Sequence, residues 1–99
     1  MTEKLFFVYV MASGKRGTLY VGVTSNLVAR VWQHKNHAFE GSFTARYDVT
    51  RLVWYEAYGS AESAILREKR LKEWRRGWKV ELIQEHNPQW HDLYDEIVG

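Results

Sequence analysis

The sequence predicts an α+β fold: a small three-stranded, mainly antiparallel sheet flanked by helices, in the order β-β-α-β-α-α. Three observations carry that prediction. Residues 5–11 (LFFVYVM) and 19–23 (LYVGV) are short apolar runs separated by the glycine-bracketed loop ASGKRG, the pattern of a hairpin. A third run with alternating character, residues 51–57 (RLVWYEA), returns only after a helical stretch. From Ser60 onward a long charged segment repeats its apolar residues at helical spacing.

The elements follow in order. The first strand is continuously apolar, aromatic and β-branched, so it is expected to be mostly buried, with Leu5, Phe7, Tyr9 and Met11 on one face. In the second strand Tyr20 and Gly22 share a face. Thr24, Ser25 and Asn26 are all favourable helix caps, which predicts a helix from there to about His34 or Lys35. Residues 36–48 show no period and read as a loop with some local structure. After the third strand, a helix is predicted from near Ser60 to about Trp74. Gly77 interrupts the pattern, and a second helix runs from about Arg76 to Gln84. Pro88, the one proline, follows Asn87 and opens a short final segment.

Composition narrows the function classes. Ninety-nine residues, 45% hydrophobic and 15% aromatic, suit one folded domain over 1–99 rather than a disordered tail. With no cysteine there is no disulfide framework, no thiolate nucleophile and no thiolate-bound zinc. No apolar run approaches the roughly 18 residues of a membrane span, and the N-terminus lacks a cleavable-signal pattern, so no membrane partner and a cytoplasmic location are expected. The net charge of +2 hides an asymmetry: residues 66–79 (LREKRLKEWRRGWK) hold seven Lys/Arg against two Glu, whereas residues 80–99 hold five Asp/Glu and no Lys or Arg. A basic stripe interleaved with Trp74 and Trp78 suits a phosphate backbone, and suits equally a solvated helix face with i,i+4 pairs such as Glu68–Lys72. The five tryptophans are expected to lie mostly in the core.

Several polar residues fall where apolar ones are expected. On a helical wheel Ala61, Ala64, Ile65 and Leu71 form the inward stripe after the third strand, and Glu68 falls in its middle. A carboxylate there needs compensation from an arginine, a hydroxyl or a metal ion, and a buried salt bridge to a basic neighbour meets that need as well as a functional site does. In the first helix Arg30 and His34 flank the inward stripe of Leu27 and Val31. Each has an ordinary reading, as an edge-of-core ion pair and a hydrogen-bonded histidine. Together with an inward carboxylate they are also the equipment of phosphoryl chemistry: a guanidinium for the charge of the transition state, a carboxylate for a divalent cation, an imidazole or hydroxyl for a proton. Tyr9 and Tyr20 add to the group, because FVY at 7–9 and YVG at 20–22 lie on adjacent strands of one hairpin.

At these residues the sequence resembles the GIY-YIG endonuclease family, and its compact single-domain bacterial members in particular. The two tripeptides stand where that family's two signatures stand. Arg30 lies ten residues after Tyr20, Glu68 occurs in LREKRLKEW, and Asn87 follows downstream. The resemblance implies a metal-dependent phosphodiesterase acting on DNA, in repair or recombination, with Glu68 ligating one divalent cation, Mg²⁺ or Mn²⁺. It implies Tyr20 as general base or water-orienting group with Tyr9 beside it, Arg30 on the scissile phosphate, and His34 in proton handling or positioning. Gly22 and Asn87 are implied to support the site, although capping of the turn at Pro88 accounts for Asn87 equally well. A phenol is a poor base at neutral pH, so the role given to Tyr20 requires positive charge beside it. Substrate binding is expected from Lys35, Arg67, Lys69, Arg70, Lys72, Arg75, Arg76 and Lys79, mostly to phosphates, and so to be salt-sensitive and largely sequence-independent. Two positions depart from the family: Phe7 replaces the leading glycine of the first signature, and Val23 stands where some relatives have a lysine. These departures favour the alternative, a catalytically weak or inactive nucleic-acid-binding module on the same fold; a third reading, an aromatic interaction surface, rests on the tryptophans alone.

Overall fold

The three apolar segments pair into one antiparallel sheet of order β2-β1-β3. The structure, a computed structural model, describes residues 4–38 and 41–99. Along the chain the elements are β1 (Phe6–Ala12), β2 (Leu19–Thr24), α1 (Leu27–Lys35), α2 (Phe43–Arg46), β3 (Arg51–Tyr58), α3 (Ala61–Glu73), α4 (Arg76–His86) and α5 (Tyr94–Val98). The order β-β-α-β-α-α therefore gains two short helices. At four and five residues, α2 and α5 are too short to leave a 3.6-residue period in the sequence.

β1 is central and covered on both faces, which explains its unbroken apolar run. Val8, Val10 and Ala12 pack with Val21, Ala64, Leu71, Ile83 and Trp90 on the side of α3 and α4. Tyr9 and Met11 pack with Leu27, Val31, Val49 and Leu52 on the side of α1, joined by Phe7 and by Tyr94 and Ile97 of α5. Leu5 lies before the strand and is exposed. On α3 the inward stripe is narrower than the wheel suggests: Ala64 and Leu71 are buried, whereas Ala61 and Ile65 face solvent. A helix that lies on a three-stranded sheet buries only a thin strip, so the flanks of an apolar stripe stay wet. The tryptophans divide likewise. Trp54 and Trp90 are buried, Trp74 is half-buried, and Trp32 and Trp78 are each 52% exposed.

The helix starts follow their caps. The Asn26 side chain accepts from Ala29 N–H at the head of α1, and Ser60 accepts from Ser63 N–H at the head of α3. The break between α3 and α4 falls at Trp74 and Arg75, and Gly77 lies inside α4.

Asn87 has a structural place in this architecture. The pairing passes from Val10↔Trp54 to Met11↔Leu52, so Val53 is the extra residue of a β-bulge. Its carbonyl accepts from Asn87 Nδ2 at 3.1 Å, and the same amide brackets the following turn by donating to His91 O at 2.8 Å and accepting from His91 N–H at 3.0 Å. That turn lays the next residues along β3, where Leu93 N–H donates to Leu52 O at 2.8 Å and Asp92 Oδ1 accepts from Leu52 N–H at 3.2 Å. An otherwise open sheet edge is covered at its start.

Replacing Asn87 by Ala strands two carbonyls and one N–H at a site 5% exposed. We expect Asn87→Ala to cost about 2–4 kcal/mol in urea denaturation. Asn87→Asp, which turns an acceptor toward the Val53 and His91 carbonyls, is expected to cost at least as much.

Candidate active site

Tyr9 and Gly22 face each other across the β1–β2 ladder. A Cβ at position 22 would stand 2.5 Å from both Cζ and the hydroxyl oxygen of Tyr9, so only glycine lets the Tyr9 ring lie across β2. There its hydroxyl meets His34 Nε2 at 2.9 Å, and His34 Nδ1 meets Thr44 Oγ1 at 2.9 Å. Thr44 is also 3.3 Å from Ser42 Oγ, the residue that caps α2. Tyr20 lies against the same imidazole, with ring centroids 5.2 Å apart, and 6.2 Å from the Tyr9 ring. Tyr9, His34 and Thr44 are buried, whereas Tyr20 is half-buried and forms the solvent side of the group.

Burial sets the protonation states. His34 is 4% exposed, and burial, then the positive charge of Arg30, pulls its pKa from 6.5 down to about 4. The imidazole is therefore neutral at physiological pH and carries one ring N–H. The chain Tyr9–His34–Thr44 thus has a direction: one hydroxyl donates to the ring and the other accepts from it. Burial, then the adjacent Tyr20 phenol, raises Tyr9 far above the usual phenol range. Arg30 opposes that shift and Glu68 adds to it. One hydroxyl therefore feels an arginine from α1 and a carboxylate from α3.

Glu68 lies on α3, which packs over β1 and β2 with Ala64 and Leu71 inward. Its side chain is 14% exposed and ion-paired with Lys72 at 3.2 Å, so the ordinary i,i+4 pair is present beside whatever else the carboxylate does. Among the described residues no group of three or more His, Asp or Glu is placed to hold a metal. One inward carboxylate still suits a hard cation of the Mg²⁺ type, which takes one or two carboxylates and fills its shell with water and substrate oxygens.

The other residues singled out in the sequence divide. Lys69, Arg70, Lys72 and Arg75 are exposed, Arg75 lying 5.7 Å from the Trp78 ring centroid. Arg67 is drawn inward between Trp54 and Trp74, 5.9 and 5.3 Å from the ring centroids, and pairs with Glu56 at 3.3 Å. Arg76 donates to Arg16 O and Gly17 O at 2.6 and 2.8 Å, tying α4 to the β1–β2 loop. Lys79 donates to Lys72 O at 3.4 Å, and Lys35 pairs with Asp92 at the C-terminal segment. Phe7, in place of the signature glycine, packs with the Tyr9 cluster, and Val23 packs with the core on the α3 side, facing away from Tyr20. Thr44 is a site residue that the sequence barely signals; its only local cue is the capping serine two residues before it.

The chain is similar to known proteins. The GIY-YIG catalytic domain family matches residues 5–89. The UPF0213 protein of Staphylococcus haemolyticus is 35% identical over 80% of this chain and 94% of its own. That of Syntrophus aciditrophicus is 29% identical over 84% of this chain and 93% of its own. The solution structure of a UPF0213 protein from Bacillus halodurans superposes with a TM-score of 0.55 at 25% identity, covering 89% of this chain and 92% of that one.

Two measurements test this geometry. Because the folded state lowers the His34 pKa, the unfolded chain takes up the proton first, and stability falls as pH drops from about 6.5 toward about 4. The loss is on the order of 3 kcal/mol, seen as a lower urea midpoint at pH 4.5 than at pH 7 and a smaller difference in His34→Gln. Gly22→Ala must push the Tyr9 ring out of place; a destabilisation of about 1–3 kcal/mol is expected, and the nuclear Overhauser effect between the Tyr9 and His34 rings should vanish.

Proposed function

The chain belongs to the GIY-YIG family, and from that membership we propose that it is a divalent-metal-dependent DNA endonuclease that cleaves phosphodiester bonds with water. One observation carries the reading: the half-buried Tyr20 stands against the ring of His34, which is itself hydrogen-bonded to Tyr9, in a fold whose helices α1 and α3 carry Arg30 and Glu68.

In this reading Glu68 would hold the cation, which would supply positive charge and Lewis acidity beside the phosphate. Arg30 stabilises the charge that builds on the phosphate in the transition state. Tyr20, the phenol with access to solvent, orients the attacking water, whose proton passes to bulk solvent. Tyr9 and His34 stand behind it. With its pKa held near 4, His34 is a weak base, so it serves by positioning Tyr9 and Tyr20 rather than by storing a proton. Thr44 in turn holds the ring. Lys69, Arg70, Lys72 and Arg75 supply the phosphate contacts. Arg67, Arg76, Lys79 and Lys35 are engaged within the fold and contribute less.

The test is nicking of supercoiled plasmid with Mg²⁺ or Mn²⁺. Glu68→Ala and Arg30→Ala are each expected to slow it by about 10²–10³-fold. Undiminished nicking in both identifies a contaminant and overturns the site. Salt-sensitive DNA binding without any nicking supports the binding-module reading instead. The four cations assigned to the phosphates predict a slope of log K against log salt of about −3 to −4 on duplex DNA, and all eight basic residues would give about −7.

A further inference from the structure

α2 faces two ways. Inward, Thr44 is buried and fixed to His34 at 2.9 Å. Outward, Phe43 and Tyr47 are 45% and 49% exposed, with ring centroids 4.8 Å apart. The Phe43 ring is also 6.3 Å from Tyr20, which stands 5.2 Å from His34. Aromatic surface therefore runs unbroken from the buried imidazole, through the phenol assigned to the attacking water, to two rings in solvent. Among the described residues, neither the core clusters nor the proposed chemistry includes those last two rings. Their mount is anchored, by Thr44 on His34 and by Ser42 capping α2, so they stand at a set place beside the site.

Aromatic faces stack on any nucleobase, and the exposed Arg46 on the same helix adds the positive charge that a phosphate backbone demands. A base within a duplex already has both faces stacked, so only an unpaired base has a face to offer. We propose that Phe43 and Tyr47 form a stacking platform for an unpaired nucleobase beside the bond to be cut, and that single-stranded or frayed DNA is the preferred substrate. The inference deepens the nuclease reading and rests on it for the cleavage, while the binding is separately measurable.

The test is fluorescence anisotropy in EDTA, with labelled oligothymidylate of about a dozen residues beside a duplex of equal length. The double variant F43A/Y47A is expected to lose about 5- to 100-fold in affinity for the single strand and to change little on the duplex. F43L/Y47L, which keeps apolar bulk without π faces, is expected to show the same selective loss and guards against a folding defect in the first variant. Equal losses on both ligands, an unchanged single-strand affinity, or wild-type binding by F43L/Y47L overturns the proposal. So does a drop in sedimentation coefficient in F43A/Y47A with DNA binding intact, since the rings then join two copies of the chain. Because no metal is present, these outcomes are independent of whether the wild type nicks plasmid, and failure of either reading is recognised without the other.

Discussion

The phenol ring of Tyr9 crosses β2 over the bare backbone of Gly22, and its hydroxyl is then committed to His34. Much of the site follows from that crossing. The ring carries a β1 side chain to the open edge of the sheet, where α1 and α2 approach from one face and α3 from the other. His34, held at both nitrogens, fixes the distance between α1 and the hairpin, and through Thr44 it fixes α2. A larger side chain at position 22 would sever the link at its root. Burial of this chain of hydrogen bonds keeps the imidazole neutral and the phenol protonated, so polarity is held inside the fold without a buried charge.

Charge is handled by a second, opposite arrangement. The basic stripe that dominates the sequence is partly consumed by the protein itself. Arg67 lies between two indoles beside Glu56, and Arg76 ties two backbone carbonyls of the hairpin loop to α4. The acidic C-terminal segment likewise takes up Lys35 and covers the start of β3 through Asp92. Guanidinium groups suit such positions because they stack on aromatic faces and remain charged. What remains in solvent on α3 and the start of α4 is a smaller set of cations, beside the largely buried carboxylate of Glu68.

The readable parts of this protein are those governed by short-range rules. The hairpin, the Asn26 and Ser60 caps and the alternation that sets Tyr9 with Met11 and Tyr20 with Gly22 all depend on neighbours within a few residues. The inward position of Glu68 follows from helical period alone, and its pairing with Lys72 from spacing of four. The errors have an equally local cause. Ala61 and Ile65 satisfy the period of a buried stripe yet face solvent. Trp32 and Trp78 have the composition of core residues but stay exposed. Asn87 reads as a turn cap and is one, but its partner across 34 residues is a bulge carbonyl that no pattern in the chain announces.

By itself the sequence determined the α+β class, the pairing of the first two strands, and which residue types could meet: two phenols, an arginine, an imidazole and a carboxylate at spacings that place each on an inner or edge position. It determined this because strand alternation and helical period are consequences of backbone geometry. Tertiary structure alone decided which of them touch. The glycine that admits the Tyr9 ring, the threonine that holds His34, and the division of the basic stripe into solvated and internally bound residues all depend on contacts between segments far apart in the chain. Such contacts are set by how layers close on one another, and local chemistry carries no record of that distance.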